Sequence, residues 1–146
     1  MVNLENILCP IDYSEYSKEA LKYAASFAMK DKAKLYLLHV TDIRAFEQNL
    51  DVMAKQINDE MIKQHKSRLL DYIPEKMKND IEVEVLVNQG IPVDEIIDVS
   101  KEKKIDMIVM GSRGRTGIAH IMLGSVAENV ARKAPCPVLI AKQPRR

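Results

Sequence analysis

The stretch Ile105-Asp106-Met107-Ile108-Val109-Met110-Gly111-Ser112-Arg113-Gly114 runs from an apolar segment into two glycines, and after nine intervening residues the chain reads Gly124-Ser125. The first six residues are short, β-branched and almost uninterruptedly apolar, as in a strand buried on both faces of a parallel sheet. The glycines then fall at the carboxyl end of that strand, where open α/β sheets form their ligand crevice at the topological switch point. Glycine lets the backbone approach an oxyanion closely, and successive N–H groups in such a turn make an anion-binding concavity. A helix starting at Ser125 would add unpaired amides and the positive end of its macrodipole. One polyphosphate could touch both glycine groups.

Working outward, five strand candidates alternate with four helix candidates, an order that favours an α/β fold with a mostly parallel sheet. The first strand is expected over about Asn6 to Ile11, ending in Asp12. A helix follows, with Ser14 or Ser17 as N-cap and Ala20, Leu21, Ala24, Phe27 and Ala28 as its apolar stripe. Lys34 to Val40 reads as the second strand. From roughly Arg44 to Tyr72 the spacing of Phe46, Leu50, Met53, Ile57, Met61, Leu69 and Tyr72 is helical, with Pro74 as the stop and a loop allowed in the first part. Ile81 to Val87 alternates apolar residues with Glu82 and Glu84, which places the third strand near an edge. Pro92 suits the first position of the next helix, whose residues Val93, Ile96, Ile97 and Ser100 are expected on the sheet. After the glycine loop a last helix spans Ser125 to about Lys133, and Pro137 to Ala141 forms a fifth strand suited to an edge.

The chain has 146 residues, enough for one domain spanning 1–146 with a full core. Apolar residues make up 47% and charged residues 29%, a globular composition, and a formal charge of +1 gives no general attraction to nucleic acid or acidic membranes. No charged start followed by an apolar signal core appears, and no apolar run approaches the ~18 residues of a spanning helix, so a cytoplasmic location is expected. Cys9 and Cys136 read as two buried thiols rather than a disulfide. With no C-x-x-C spacing and His39, His65 and His120 scattered, no protein-built metal site is expected, and any metal should arrive with the ligand.

Three features, in order, carry a family resemblance: Ile7-Leu8-Cys9-Pro10-Ile11-Asp12 leading to Ser14, Leu37-Leu38-His39-Val40, and Gly-x2-Gly-x9-Gly-Ser at Gly111, Gly114, Gly124 and Ser125. The whole chain resembles a single-domain universal stress protein of the nucleotide-binding type. The resemblance implies an open α/β sandwich, Rossmann-like and of the adenine nucleotide alpha hydrolase-like type, with helices on both faces of a five-stranded parallel sheet. Its strand order would be third, second, first, fourth, fifth. It also implies ATP across the ends of the first and fourth strands, with Mg or Mn bound through the phosphates. In that arrangement Asp12 would contact the ribose or a phosphate-bound metal, and Val40 would meet adenine through its backbone. Gly111, Arg113, Gly114, Gly124, Ser125 and Val126 would hold ribose and phosphates, and Pro10 and Met110 would complete the pocket. A homodimer through the edge strand 137–141 and a role in stress response or signalling follow from the same resemblance, with an unnamed protein partner.

Each of these residues has a plainer reading. Ser125-x-x-Glu128 has the spacing of a capping box, Asp12 could cap the first helix, and Arg113 and Arg115 could be solvated loop charges, of which Arg113 is favoured as a ligand. His120 is expected to be structural. A dinucleotide Rossmann site fails because its glycines should follow the first strand. A P-loop fails for lack of Gly-x4-Gly-Lys-Ser/Thr. A phosphoacceptor domain fails because Asn88-Gln89-Gly90 stands where an aspartate is needed. The alternative function is a slow ATP hydrolase or nucleotidyl-transfer enzyme, for which Asp12 and Glu128 are the nearest candidate bases. A third reading, a structural dimer without nucleotide, is disfavoured by the intact glycine set.

Overall fold

In the computed structural model, residues 1–44, 58–113 and 123–142 are described. They form β1 (Asn6–Pro10), α1 (Glu15–Asp31), β2 (Lys34–Asp42), α2 (Asp59–Leu70), a 3-10 turn (Glu75–Met77), β3 (Val83–Gly90), α3 (Pro92–Glu102), β4 (Met107–Gly111), α4 (Ser125–Lys133) and β5 (Val138–Ala141). All neighbouring strands pair parallel, in the order β3-β2-β1-β4-β5. This is the expected order, and it sets β3 and β5 at the two edges. The helical positions expected at Phe46, Leu50, Met53 and Ile57 lie outside the described residues, as do Gly114, Arg115 and His120.

Side-chain alternation along the strands divides the core in two. Ile7, Cys9, Leu35, Leu37 and Val109 point to one face, under Ala20, Leu21, Ala24, Ala25 and Ala28 of α1 and Leu69 of α2. Leu8, Tyr36, Leu38, Ile108 and Met110 point to the other, under Ile96 and Val99 of α3 and Ala127 and Val130 of α4. The small residues of α1 let that helix sit close to the sheet, since alanine adds no bulk and keeps full helix propensity. On α3 the buried residues are Ile96, Val99 and Ser100, with Val93 packed beside them; Val99 extends the expected set, and Ile97 is only half-buried.

Local chemistry fixes the ends. Ser14 is extended and its hydroxyl accepts from the Ser17 amide, so it is the N-cap of α1, and Lys32 closes the helix in the left-handed region at φ 56°. Pro92 opens α3 at the first turn, where a missing N–H costs nothing. Asn58 caps α2 through the Met61 amide. Across the bottom of the sheet, one oxygen of Asp106 accepts the amides of Glu5 and Asn6 at 2.8 and 2.9 Å, which ties the start of β1 to β4.

Candidate functional site

β1 is the switch point: β2 lies on one side of it and β4 on the other. β1 and β4 pair at Ile7 with Met107 and Leu8 with Ile108, whereas β1 continues to Pro10 and β4 to Gly111. Beyond Leu8 the two carboxyl ends therefore run on outside the ladder, at the place where an open α/β sheet forms its ligand crevice.

On the β1 side, the Ile11 amide donates to Leu38 carbonyl at 2.8 Å and holds the strand end against β2. Asp12 then accepts the Ser14 amide on Oδ1 at 2.9 Å. This is an Asx turn, which leaves the second carboxylate oxygen for another partner. Asp12 therefore shapes the entry to α1, and Ser14 performs the capping.

On the β4 side, the Ser112 amide donates to Ala141 carbonyl at 2.8 Å and the Gly124 amide to Ser112 carbonyl at 2.7 Å. The second bond fastens the two halves of the glycine motif together: Gly111-Ser112-Arg113 stands beside the start of α4. Gly124 is the N-cap, extended at φ −62° and ψ 156°, and among the described residues no side chain caps the helix. The first intrahelical bond closes from Glu128 to Gly124, so the amides of Ser125, Val126 and Ala127 have no partner within the helix. This corrects the capping-box reading. Ser125 is the first helical residue, and Glu128 lies on the outer surface, where its Oε1 accepts from Arg132 Nη2 at 2.9 Å. A glycine cap supplies no side-chain oxygen to the helix end, and the nearest acidic side chain of α4 is engaged one turn along.

The apolar wall comes from one face of the sheet. Met110 is buried in the cluster that Val40 and Val126 pack against, which gathers three sequence-predicted residues from β2, β4 and α4. Pro10 ends β1 opposite Leu38. Arg113 follows Gly111 by two residues and is half-buried. Gly114 lies outside the described residues.

The universal stress protein family model matches residues 3–142. The chain belongs to the universal stress protein family. It is 34% identical to the universal stress protein MJ0531 of Methanocaldococcus jannaschii over 97% of this chain and 84% of that one. The solved structure of MJ0577 from the same organism superposes with a TM-score of 0.80 at 30% identity, covering 99% of this chain and 100% of that one. The structure of the universal stress protein from Archaeoglobus fulgidus in complex with dAMP superposes with a TM-score of 0.65 at 27% identity, covering 97% and 100%.

Within this family fold, two features were not legible in the sequence. Gly111 is packed against α1: a Cβ there would stand 2.7 Å from both the carbonyl carbon and Cβ of Tyr16 and 2.9 Å from the Ser17 amide nitrogen. The second is a ring cluster beside the β1–α1 connection. Tyr13 has a left-handed backbone, φ 67°, and its hydroxyl lies 2.6 Å from Nδ1 of His65 on α2. Its ring packs on His39 and His65, with centroids at 4.7 and 5.8 Å. Burial holds the imidazoles of both His39 and His65 below the ordinary histidine range, and Arg68 pushes in the same direction. Neither histidine stood out in the chain, because each depends on partners distant in sequence.

Among the described residues no helix is long and apolar enough to cross a membrane.

Proposed function

We propose that this universal stress protein binds ATP in the crevice between the carboxyl ends of β1 and β4 and acts as a nucleotide-dependent stress-response or signalling module in the cytoplasm. The observation that carries the reading is the Gly124 to Ser112 hydrogen bond. It sets a helix N-terminus capped by a glycine beside the turn that ends β4, and such an end is an anion site by geometry and dipole. In this reading the first amides of α4, with Arg113, Gly114 and Ser125, take the phosphates. Asp12 takes the ribose through its second oxygen, Val40 offers its backbone to adenine, and Pro10, Met110 and Val126 line the base.

The complex of the Archaeoglobus fulgidus relative with dAMP supports an adenine nucleotide as the ligand class. A triphosphate held by amides and one guanidinium retains negative charge, so Mg²⁺ or Mn²⁺ would enter on phosphate oxygens and water. The protein is further read as a homodimer joined along β5, whose outer edge is open within the sheet order.

Mass spectrometry of ligand released from freshly purified protein, with calorimetric titration of ATP, ADP and AMP with and without Mg²⁺, tests the reading. Retained ATP, or tightest binding by ATP, is expected. Binding by none of the three would overturn it, and stoichiometric release of ADP and phosphate on incubation would move the protein to the hydrolase reading. Heat from Mg²⁺ in the absence of nucleotide would contradict the metal assignment.

A further inference from the structure

The ring cluster joins three elements around the β1–α1 connection. Tyr13 supplies the β1–α1 connection, His39 the end of β2, and His65 and Arg68 neighbouring turns of α2. The guanidinium carbon of Arg68 stands 3.7 Å from the centre of the Tyr13 ring, His39 and His65 stack at 4.5 Å, and Tyr72 meets Tyr13 edge-on at 5.9 Å. His39 Nδ1 lies 2.8 Å from Ile11 carbonyl. A carbonyl only accepts, so this nitrogen carries the ring proton and Nε2 is bare in the neutral state. The connection that carries Asp12 is thus gripped on both sides, through Ile11 by His39 and through Tyr13 by His65. Tyr13 pays for its place in the grip with a left-handed backbone, which a bulky residue holds only when its surroundings impose it.

We propose that this stack is a proton-sensitive clamp on the β1–α1 connection: protonation of His39 and His65 opens it, displaces Asp12 and weakens nucleotide binding. The functional consequence rests on the nucleotide reading, whereas the clamp stands on its own geometry. The charged groups facing the imidazoles decide the sign. From α2 comes the cation Arg68; from the β1–α1 connection comes Asp12, among the described residues the anion acting on His39. From α1, Lys18 lies over the Tyr72 ring at 5.3 Å and pairs with Glu15 at 3.5 Å. Charging both rings places three cations, His39, His65 and Arg68, around Tyr13, with Asp12 as the facing carboxylate among the described residues. A charged His39 also recruits Asp12 as its counter-ion, away from the Ser14 amide.

In the closed clamp the imidazoles sit below their ordinary value of about 6.5, and in an opened, hydrated one they return to it. The open form therefore binds more protons below that value. Closing is favoured above about pH 6.5 and loses ground as pH falls below it, until the closed-state values are passed.

The test uses His39→Asn with His65→Asn, since an asparagine amide can replace Nδ1 in each hydrogen bond without titrating. ATP affinity is measured at about pH 7.5 and about pH 5.5. Protonation of ATP itself is common to both proteins and cancels in the comparison. Acid should weaken ATP binding at least about threefold more in the wild type than in the double variant. Arg68→Gln, a change at an exposed position, should reduce the acid effect by removing the third cation. Without nucleotide, amide-exchange protection at Ser14, whose amide donates to Asp12, should fall with acid in the wild type and hold in the double variant. Equal acid sensitivity of ATP binding in all three proteins, or unchanged protection at Ser14 in the wild type, would overturn the clamp. If ATP fails to bind at either pH, the nucleotide reading falls, and the exchange measurement alone decides the clamp.

Discussion

Gly111 and Tyr16 are in backbone contact: a β-carbon on Gly111 would lie 2.7 Å from the carbonyl carbon of Tyr16. The first glycine of the motif thus seats α1 on β4 and fixes where the β1–α1 connection stands relative to the start of α4. Because the obstacle is main chain, no rotamer change relieves it. Gly111→Ala should lower stability by about 1–3 kcal/mol, the usual cost of forcing an atom into a filled core. Urea denaturation should show a lower midpoint at an unchanged slope. An unchanged midpoint would mean that α1 shifts without cost and that Gly111 is kept for some reason other than packing.

Much of the fold was legible because apolar period and end chemistry agree. Ile105 to Met110, Ser14 and Pro92 each announce their element locally, and the alternation of Val83, Val85 and Val87 with glutamates marks β3 as an edge strand. The cap of α4 was not legible. Ser-x-x-Glu fits both N-cap and first-turn serine, and the choice is made by the Gly124 to Ser112 bond, which closes across the intervening loop. The purpose of Gly111 was hidden for a similar reason: a glycine ending a strand looks the same whether the space beside it holds a ligand or the backbone of a distant helix. His39 and His65 acquire meaning only through Tyr13.

Ser125 separates helix stability from phosphate binding. It is exposed and begins α4, where a carboxylate favours the dipole by about 0.3–1 kcal/mol. A negative charge there would also face the proposed phosphates. Ser125→Asp should raise the melting temperature of the nucleotide-free protein slightly and weaken ATP binding by about tenfold or more, since like charges a few ångströms apart near a surface cost more than about 1.4 kcal/mol. A variant that gains stability and keeps full ATP affinity would remove Ser125 from the site.

The two thiols report on different depths of the structure. Cys9 is fully buried on β1, and burial alone drives its thiol far up; Cys136 is half-buried and pushed up less, with a backbone N–H bond at Ile108 opposing. Since the thiolate is the reactive form, alkylation of the folded protein at about pH 8 should mark Cys136 first. Cys9 should react only as fast as the domain opens, so its labelling should follow the denaturation curve. Equal native-state rates at the two positions would contradict the burial of β1.

The β5 edge sets a demanding test for the proposed dimer. Ile108 donates to Pro137 carbonyl and Ser112 to Ala141 carbonyl, so residues 137 and 141 turn their polar groups to β4. Alternate residues of a strand turn theirs to opposite sides, which leaves Val138 and Ile140 presenting N–H and C=O outward. A charge at Leu139 would be uninformative, because that side chain packs against the α1 side of the core. Ile140→Pro removes one outward donor and leaves the β4 ladder intact. It also shrinks a side chain that packs on the α3 and α4 side. Ile140→Ala makes a comparable volume change and keeps the donor, so the pair isolates the hydrogen bond. Sedimentation should show Ile140→Ala remaining dimeric and Ile140→Pro shifted toward monomer, with ATP binding retained in both because the edge is separated from the β1–β4 crevice by β4. Identical dimer dissociation constants for the two variants would place the interface away from β5.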